Sequence, residues 1–246
     1  RTPEQEFIFR YGLMQEVAYQ SILIKQRRVL HRRIGETLET LYADRLEEHA
    51  ALLAQHFDAG GDPRAAHYYQ VSGDVAVRLH VTIEAVAHYT RALELTTEDR
   101  SALLEARAAA YVFLGRMTEG IADYAAALDL LRQQGAVAAE CRVLAHLALA
   151  YWDTGHSAEG LALAREAETK AQALGDRALA LQASVVIGSG LQNDGRLPEA
   201  YAHIRRALWE SRTHHDHFLE VHCRHLLAMQ DNFMGRFGRA SAGERR

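Results

Sequence analysis

The chain has 246 residues, 48% of them hydrophobic and 24% charged, and its 28 lysines and arginines against 32 aspartates and glutamates leave a net charge of −4. That much apolar material can bury a continuous core, which excludes disordered and collagen-like classes. The slightly acidic balance argues against a general nucleic-acid binder, which needs a basic surface.

Two cysteines far apart in sequence, Cys141 and Cys223, argue against a disulfide framework or zinc ribbon, and the cytoplasm is the expected compartment. No apolar run reaches the ~18 residues a membrane span requires, and no secretory signal is recognisable. A start at Arg1 suggests a segment of a longer chain. Three prolines among abundant alanine, leucine, glutamate and arginine favour helix throughout, because these residues lose little side-chain entropy there. An all-α fold of roughly a dozen helices is therefore expected. Lysine occurs only at Lys25 and Lys170, and this arginine bias suggests a bacterium of high GC content.

In chain order, residues 1–43 read as a helical arm. They contain Phe7-Ile8-Phe9-Arg10-Tyr11-Gly12-Leu13-Met14-Gln15-Glu16-Val17-Ala18-Tyr19 and then Arg27-Arg28-Val29-Leu30-His31-Arg32-Arg33-Ile34. Lys25, Arg27, Arg28, Arg32 and Arg33 spread over more than one helical face, while Val29, Leu30 and Ile34 imply that another face is buried. The expectation is a solvated or interdomain helix, since no aromatic stacking platform accompanies the charges. Residues 44–98 read as irregular hairpins. Leu53, Ala54, Phe57, Gly61, Asp62 and Ala66 form one, Ile83, Ala85, Tyr89, Ala92 and Leu95 the second helix of another, and a helix from about Pro63 to Leu79 serves both. Proline suits a helix start, where an amide has no partner anyway.

Residues 99–246 carry an internal period. Gly115, Gly155, Gly195 and Gly235 stand 40 residues apart. Ala108, Ala148, Gly188 and Ala228 precede them by seven residues, Gly120, Gly160, Ala200 and Ala240 follow by five, and Ala127, Ala167 and Ala207 come seven later. Small residues let the two helices of a hairpin approach, and the glycine lets the turn reach positive φ. Each unit reads helix, turn, helix. Larger apolar residues, among them Leu104, Tyr111, Tyr124, Leu144, Leu147, Tyr151, Ile187, Leu191 and Ile204, fill the core at helical spacing.

The stretch Ala108-Ala109-Ala110-Tyr111 through Gly115, Gly120, Tyr124 and Ala127 resembles the tetratricopeptide repeat. That resemblance implies a right-handed α-solenoid of helix-turn-helix repeats, here with a period of about 40 instead of the family's usual 34. The extra residues are expected between hairpins, near Gln133 to Ala138, Ala173 to Arg177 and Thr213 to His217, with either helices or turns lengthened. Asp231 replaces the aromatic in the last unit, which is truncated, so an unusual cap is implied. The 1–43 stretch resembles large multidomain bacterial regulators in which a signal-transduction ATPase module hands over to tetratricopeptide repeats, with Tyr11 where histidine is usual. These include class III nucleotide cyclases and transcriptional activators of the maltose-regulon type. The resemblance implies an upstream ATPase or winged-helix domain, and this segment itself has no glycine-rich loop ending in Gly-Lys-Ser or Gly-Lys-Thr.

No signature places a nucleophile beside a base, so no catalytic residue, cofactor or enzymatic activity is expected of this segment. His214, His215, Asp216 and His217, with His222 and His225, fall in a turn and along one helix face, and a solvated turn is a simpler reading than a metal site. The expected function is a protein-binding scaffold in a larger signalling protein, engaging a protein or peptide partner, or domains of the same parent chain, along a concave groove. Candidate groove residues are Arg142, His146, Trp152 and Asp153, then Gln182, Gln192 and Asn193, then His222, His225 and Asn232. Trp152 is the leading candidate anchor; packing against the next hairpin is its competing role. The alternative function is sensing of a small-molecule effector, which a closed apolar pocket would favour over an open polar channel.

Overall fold

A computed structural model of the chain describes residues 12–98, 100–214 and 216–233. Among these, twelve α-helices and one 3-10 turn occur and no strand. Phe7 to Tyr11 of the arm motif, and Gly235 and Ala240 of the last unit, lie outside the described residues. The chain divides into two compact units, 1–98 and 99–246.

The first unit contains α1 (Gly12–Ser21), α2 (Ile24–Leu41), the 3-10 turn (Leu46–His49), α3 (Ala50–Gly60), α4 (Arg64–Arg78) and α5 (Thr82–Leu95). Helix α4 packs on both α3 and α5, serving two hairpins. Leu53, Ala54, Phe57 and Tyr89 are buried at the centre. The approach of α4 to α5 is set by Gly73, where a Cβ would lie 2.5 Å from the Tyr89 ring. Asp58 of α3 binds Arg91 of α5 through two hydrogen bonds of 2.7 and 2.8 Å, and this guanidinium holds the Asp58 carboxyl below its usual pKa.

One expectation fails here. Val29, Leu30 and Ile34 are 53%, 45% and 42% exposed, so the apolar face of α2 is not buried. The side of α2 that packs on α3 is instead built around Gly35, which lies against the Phe57 ring. Helix α5 is the second helix expected around Ile83 to Leu95; Ile83 itself is 73% exposed at its start, where Thr82 is buried.

The second unit comprises α6 (Arg100–Phe113), α7 (Met117–Gln134), α8 (Val137–Asp153), α9 (Ser157–Leu174), α10 (Arg177–Asn193), α11 (Leu197–Thr213) and α12 (His217–Phe233). Successive helices pack as antiparallel neighbours. Gly115, Gly155 and Gly195 take φ values of 73°, 81° and 73°. At each, the amide after the glycine reaches back to a carbonyl five residues earlier, as from His156 to Tyr151 at 2.8 Å, closing the preceding helix. Ala108, Ala148, Ala127, Ala167 and Ala207 are wholly buried. At Gly188 a Cβ would stand 2.6 Å from Ile204, so α10 and α11 meet backbone to side chain.

The additional residues per repeat lie in the helices. Gly135-Ala136 and Gly175-Asp176 are two-residue connections between hairpins, and α7 to α12 are each 17 or 18 residues long. Extra helical turns bury more apolar surface than a longer turn could. Gly135 and Gly175 also take positive φ, a second glycine column on the same period.

Candidate functional site

In the second unit the first helices of successive hairpins pack on one another, α8 on α10 and α10 on α12. Sides of these helices not covered by a hairpin partner present residues at the 40-residue period. Ala102, Arg142, Gln182 and His222 occupy one row, each exposed. Ala109, Leu149, Ser189 and Met229 occupy a second, and Phe113, Asp153 and Asn193 a third. Phe113 is 70% exposed, Leu149 38% and Met229 39%. The surface therefore alternates apolar and polar side chains along a line of helices, which suits an extended or helical polypeptide.

Arg142 and His146 are brought together by a residue the sequence reading did not select. Glu105 on α6 accepts hydrogen bonds from Arg142 at 3.1 and 3.2 Å, and His146 Nδ1 lies 3.7 Å from the same carboxylate. The His146 ring also sits 5.8 Å from that of Tyr124. Burial lowers the His146 pKa and Arg142 adds to the effect, against the opposing pull of Glu105. Burial pushes the Tyr124 phenol up to about 12. Arg142 is thus half-exposed at the surface while its charge is already paired within the fold.

Trp152 is not on this surface. It is 6% exposed, and its indole lies between Gly160 of α9 and Gly190 of α10. A Cβ at Gly190 would be 1.9 Å from the ring, and one at Gly160 3.2 Å. The two glycines make the slot that the indole fills, so Trp152 packs hairpin to hairpin. Gln192, one period on, is part-buried, and its Oε1 has no hydrogen-bond partner among the described residues. Asp153, Gln182, Asn193, His222 and His225 are exposed, while the side chain of Asn232 lies outside the described residues. Phe113, Leu149 and Met229 were missed, although counting 40 residues back from Asp153 reaches Phe113 directly.

The two thiols are buried, and burial pushes Cys223 up to about 11. Such a thiol is unreactive at neutral pH. Among the described residues no group of three or more His, Cys, Asp or Glu side chains is placed to hold a metal ion, and His215 lies outside them. No described helix is long and apolar enough to cross a membrane.

No protein-family model matches the chain, and no curated protein matches its sequence. Solved structures do resemble it. A Rap protein complexed with Competence and Sporulation Factor aligns with TM-score 0.66 and 17% identity, over 78% of this chain and 56% of that one. A tetratricopeptide repeat protein from Parabacteroides merdae aligns with TM-score 0.66 and 18% identity, over 85% of this chain and 76% of that one. A signal transduction ATPase with numerous domains, bearing a tetratricopeptide repeat sensor, from Pyrococcus horikoshii aligns with TM-score 0.64 and 16% identity, over 95% of this chain and 38% of that one. The chain spans little more than half of the Rap protein and well under half of the ATPase. These likenesses establish the fold: an all-helical solenoid of the tetratricopeptide-repeat type.

Proposed function

We propose that this chain is a non-catalytic interaction module of a larger signalling protein, and that the exposed rows of α6, α8, α10 and α12 bind a protein or peptide partner. The carrying observation is the repeat-spaced alternation of exposed Phe113, Leu149 and Met229 with Gln182, Asp153 and Asn193 along these helices. Apolar anchors ringed by unpaired polar groups are where binding energy concentrates. Fold likeness to a Rap protein bound to a factor, and to a repeat sensor on an ATPase, supports the same reading.

In the parent, residues 1–43 form the arm after an upstream ATPase or winged-helix domain, residues 44–98 the irregular hairpins, and residues 99–246 the regular repeats. The exposed apolar residues Val29, Leu30, Ile34 and Leu41 of α2 support the arm assignment, since such a stripe suits contact with another domain. A cytoplasmic bacterial regulator of the nucleotide-cyclase or maltose-regulon type accommodates all of these parts. The test is a photo-crosslinking amino acid placed at position 149 or 193 of the full parent protein in its own cells, with position 205 on the outer helix α11 as control. Crosslinks to one polypeptide from 149 and 193 but not 205 support the groove; equal yields at all three, or none, overturn it.

A further inference from the structure

A second feature lies on the far side of α10 from Gln182, Ser189 and Asn193. There, a cleft of about 300 Å³ opens between α9 and α11, with its floor on α10. The repeat explains why it exists. Between α7 and α8, Arg132 donates to Glu140 at 3.1 Å, and between α11 and α12, Arg212 donates to Glu220 at 2.9 Å. The same ion pair thus closes the seam between hairpins twice, at identical spacing. One period from each, the intervening seam carries Gln172 and Ala180, and no such pair can form. Beneath them, Leu104 and Leu144 fill the core in the two preceding hairpins, whereas the third has Ser184, and in the last unit the same position is Arg224, which pairs with Glu220. Glu168 likewise stands where Leu128 and Leu208 stand in the flanking hairpins. All four departures line the one cleft.

Four changes converging on one cavity remove a clamp and two core side chains and leave a polar lining. Ser184 is wholly buried; its hydroxyl accepts a 2.8 Å hydrogen bond from Arg206 and lies 3.2 Å from His203 Nδ1. Arg206 also donates to Glu168 at 2.6 Å, and Arg177 donates to Glu210 at 3.3 Å. Each arginine is about half exposed at the rim. A buried leucine given up at Ser184 costs stability, and the space it leaves is open to a ligand. Carboxylates and guanidinia alternate around the opening, and a guanidinium presents further donors in a fork that matches a carboxylate.

We propose that this cleft binds a small zwitterion carrying an ammonium and a carboxylate, a free α-amino acid or a dipeptide, independently of any partner in the inner groove. The carboxylate meets Arg206, Arg177 and the Ser184 hydroxyl; the ammonium meets Glu168, Glu210 and Asp176. A volume near 300 Å³ is at the lower end for ligand sites and suits one or two residues.

The test is thermal-shift and calorimetric titration with the twenty L-amino acids singly, with Gly-Gly and Ala-Ala, and with acetate and methylammonium as half-ligands. Two variants refill the cleft as the other repeats do: Ser184→Leu, and Gln172→Arg with Ala180→Glu. Saturable binding of an amino acid or a dipeptide, weakened at least about tenfold in both variants while their helical circular dichroism is retained, is the expected result, and whichever probe binds identifies the source. The double variant changes only rim positions, so it remains informative if Ser184→Leu misfolds. No saturable binding by any probe, binding undiminished in the folded variants, or acetate binding as well as the zwitterions overturns the proposal.

Discussion

Replacing Gly190 by alanine puts a methyl carbon 1.9 Å from Cζ2 and 2.0 Å from Cε2 of Trp152. On its other face the indole already lies against α9 at Gly160, where even a Cβ would stand only 3.2 Å from the ring, so little room is left for it to retreat. Overpacking of this kind costs about 1–3 kcal/mol, and the immobile ring places the cost at the upper end. Alanine in place of a mid-helix glycine returns about 1 kcal/mol of helix propensity, so a net loss of about 2 kcal/mol is expected. Guanidinium chloride unfolding measures it. Only two tryptophans are present, and Trp209 is 66% exposed, so a Trp209→Phe background makes fluorescence report on Trp152 alone. The first hairpin suggests the rescue. There Val112 lies against Gly120 as Trp152 lies against Gly160, and Ala150 stands one period before Gly190. Trp152→Val alone should cost about 3 kcal/mol through the cavity it leaves, and adding Gly190→Ala should then recover part of that loss. A Gly190→Ala protein about 1 kcal/mol more stable than wild type, or strict additivity in the double variant, would show that the ring does not occupy this slot.

Gly155→Val forces a β-branched residue to the φ of 81° found there and should cost about 1–3 kcal/mol, read as a lowered melting temperature; an unchanged one refutes the turn. His146 has its pKa held below the ordinary histidine value of about 6.5, chiefly by burial. The folded state then binds fewer protons, so stability is full above about pH 6.5 and declines as pH falls below it. His56, His88 and His203 shift the same way. A His146→Gln variant should flatten that decline in denaturant midpoint, and an identical slope counts against the burial argument. Leu30→Ser on the open face of α2, where the side chain is already 45% exposed, should change stability by less than about 0.5 kcal/mol. Leu53→Ala, at a wholly buried position, should cost about 2–5 kcal/mol by the same unfolding assay.

The repeat period, the helix-turn-helix units and the buried alanine columns were all legible in the sequence, because small residues and glycines recur wherever two backbones must touch or a turn must reach positive φ. Local chemistry of that kind is written residue by residue. What the sequence left open depends on which atoms converge from different helices. It spread the extra residues ambiguously between helix and turn, and only packing showed them to be helical, where they bury surface. It left Trp152 between a groove and the next hairpin, since an aromatic near a helix end reads the same whether its neighbour is water or Gly190, 38 residues on. It assigned Val29, Leu30 and Ile34 to a buried face, since hydrophobicity states a preference and not whether a neighbour is present to satisfy it. The cleft over Ser184 shows the same division. Gln172, Ala180 and Ser184 are unremarkable singly, and become a site only because the fold sets them against one another where its other repeats place an ion pair and leucine.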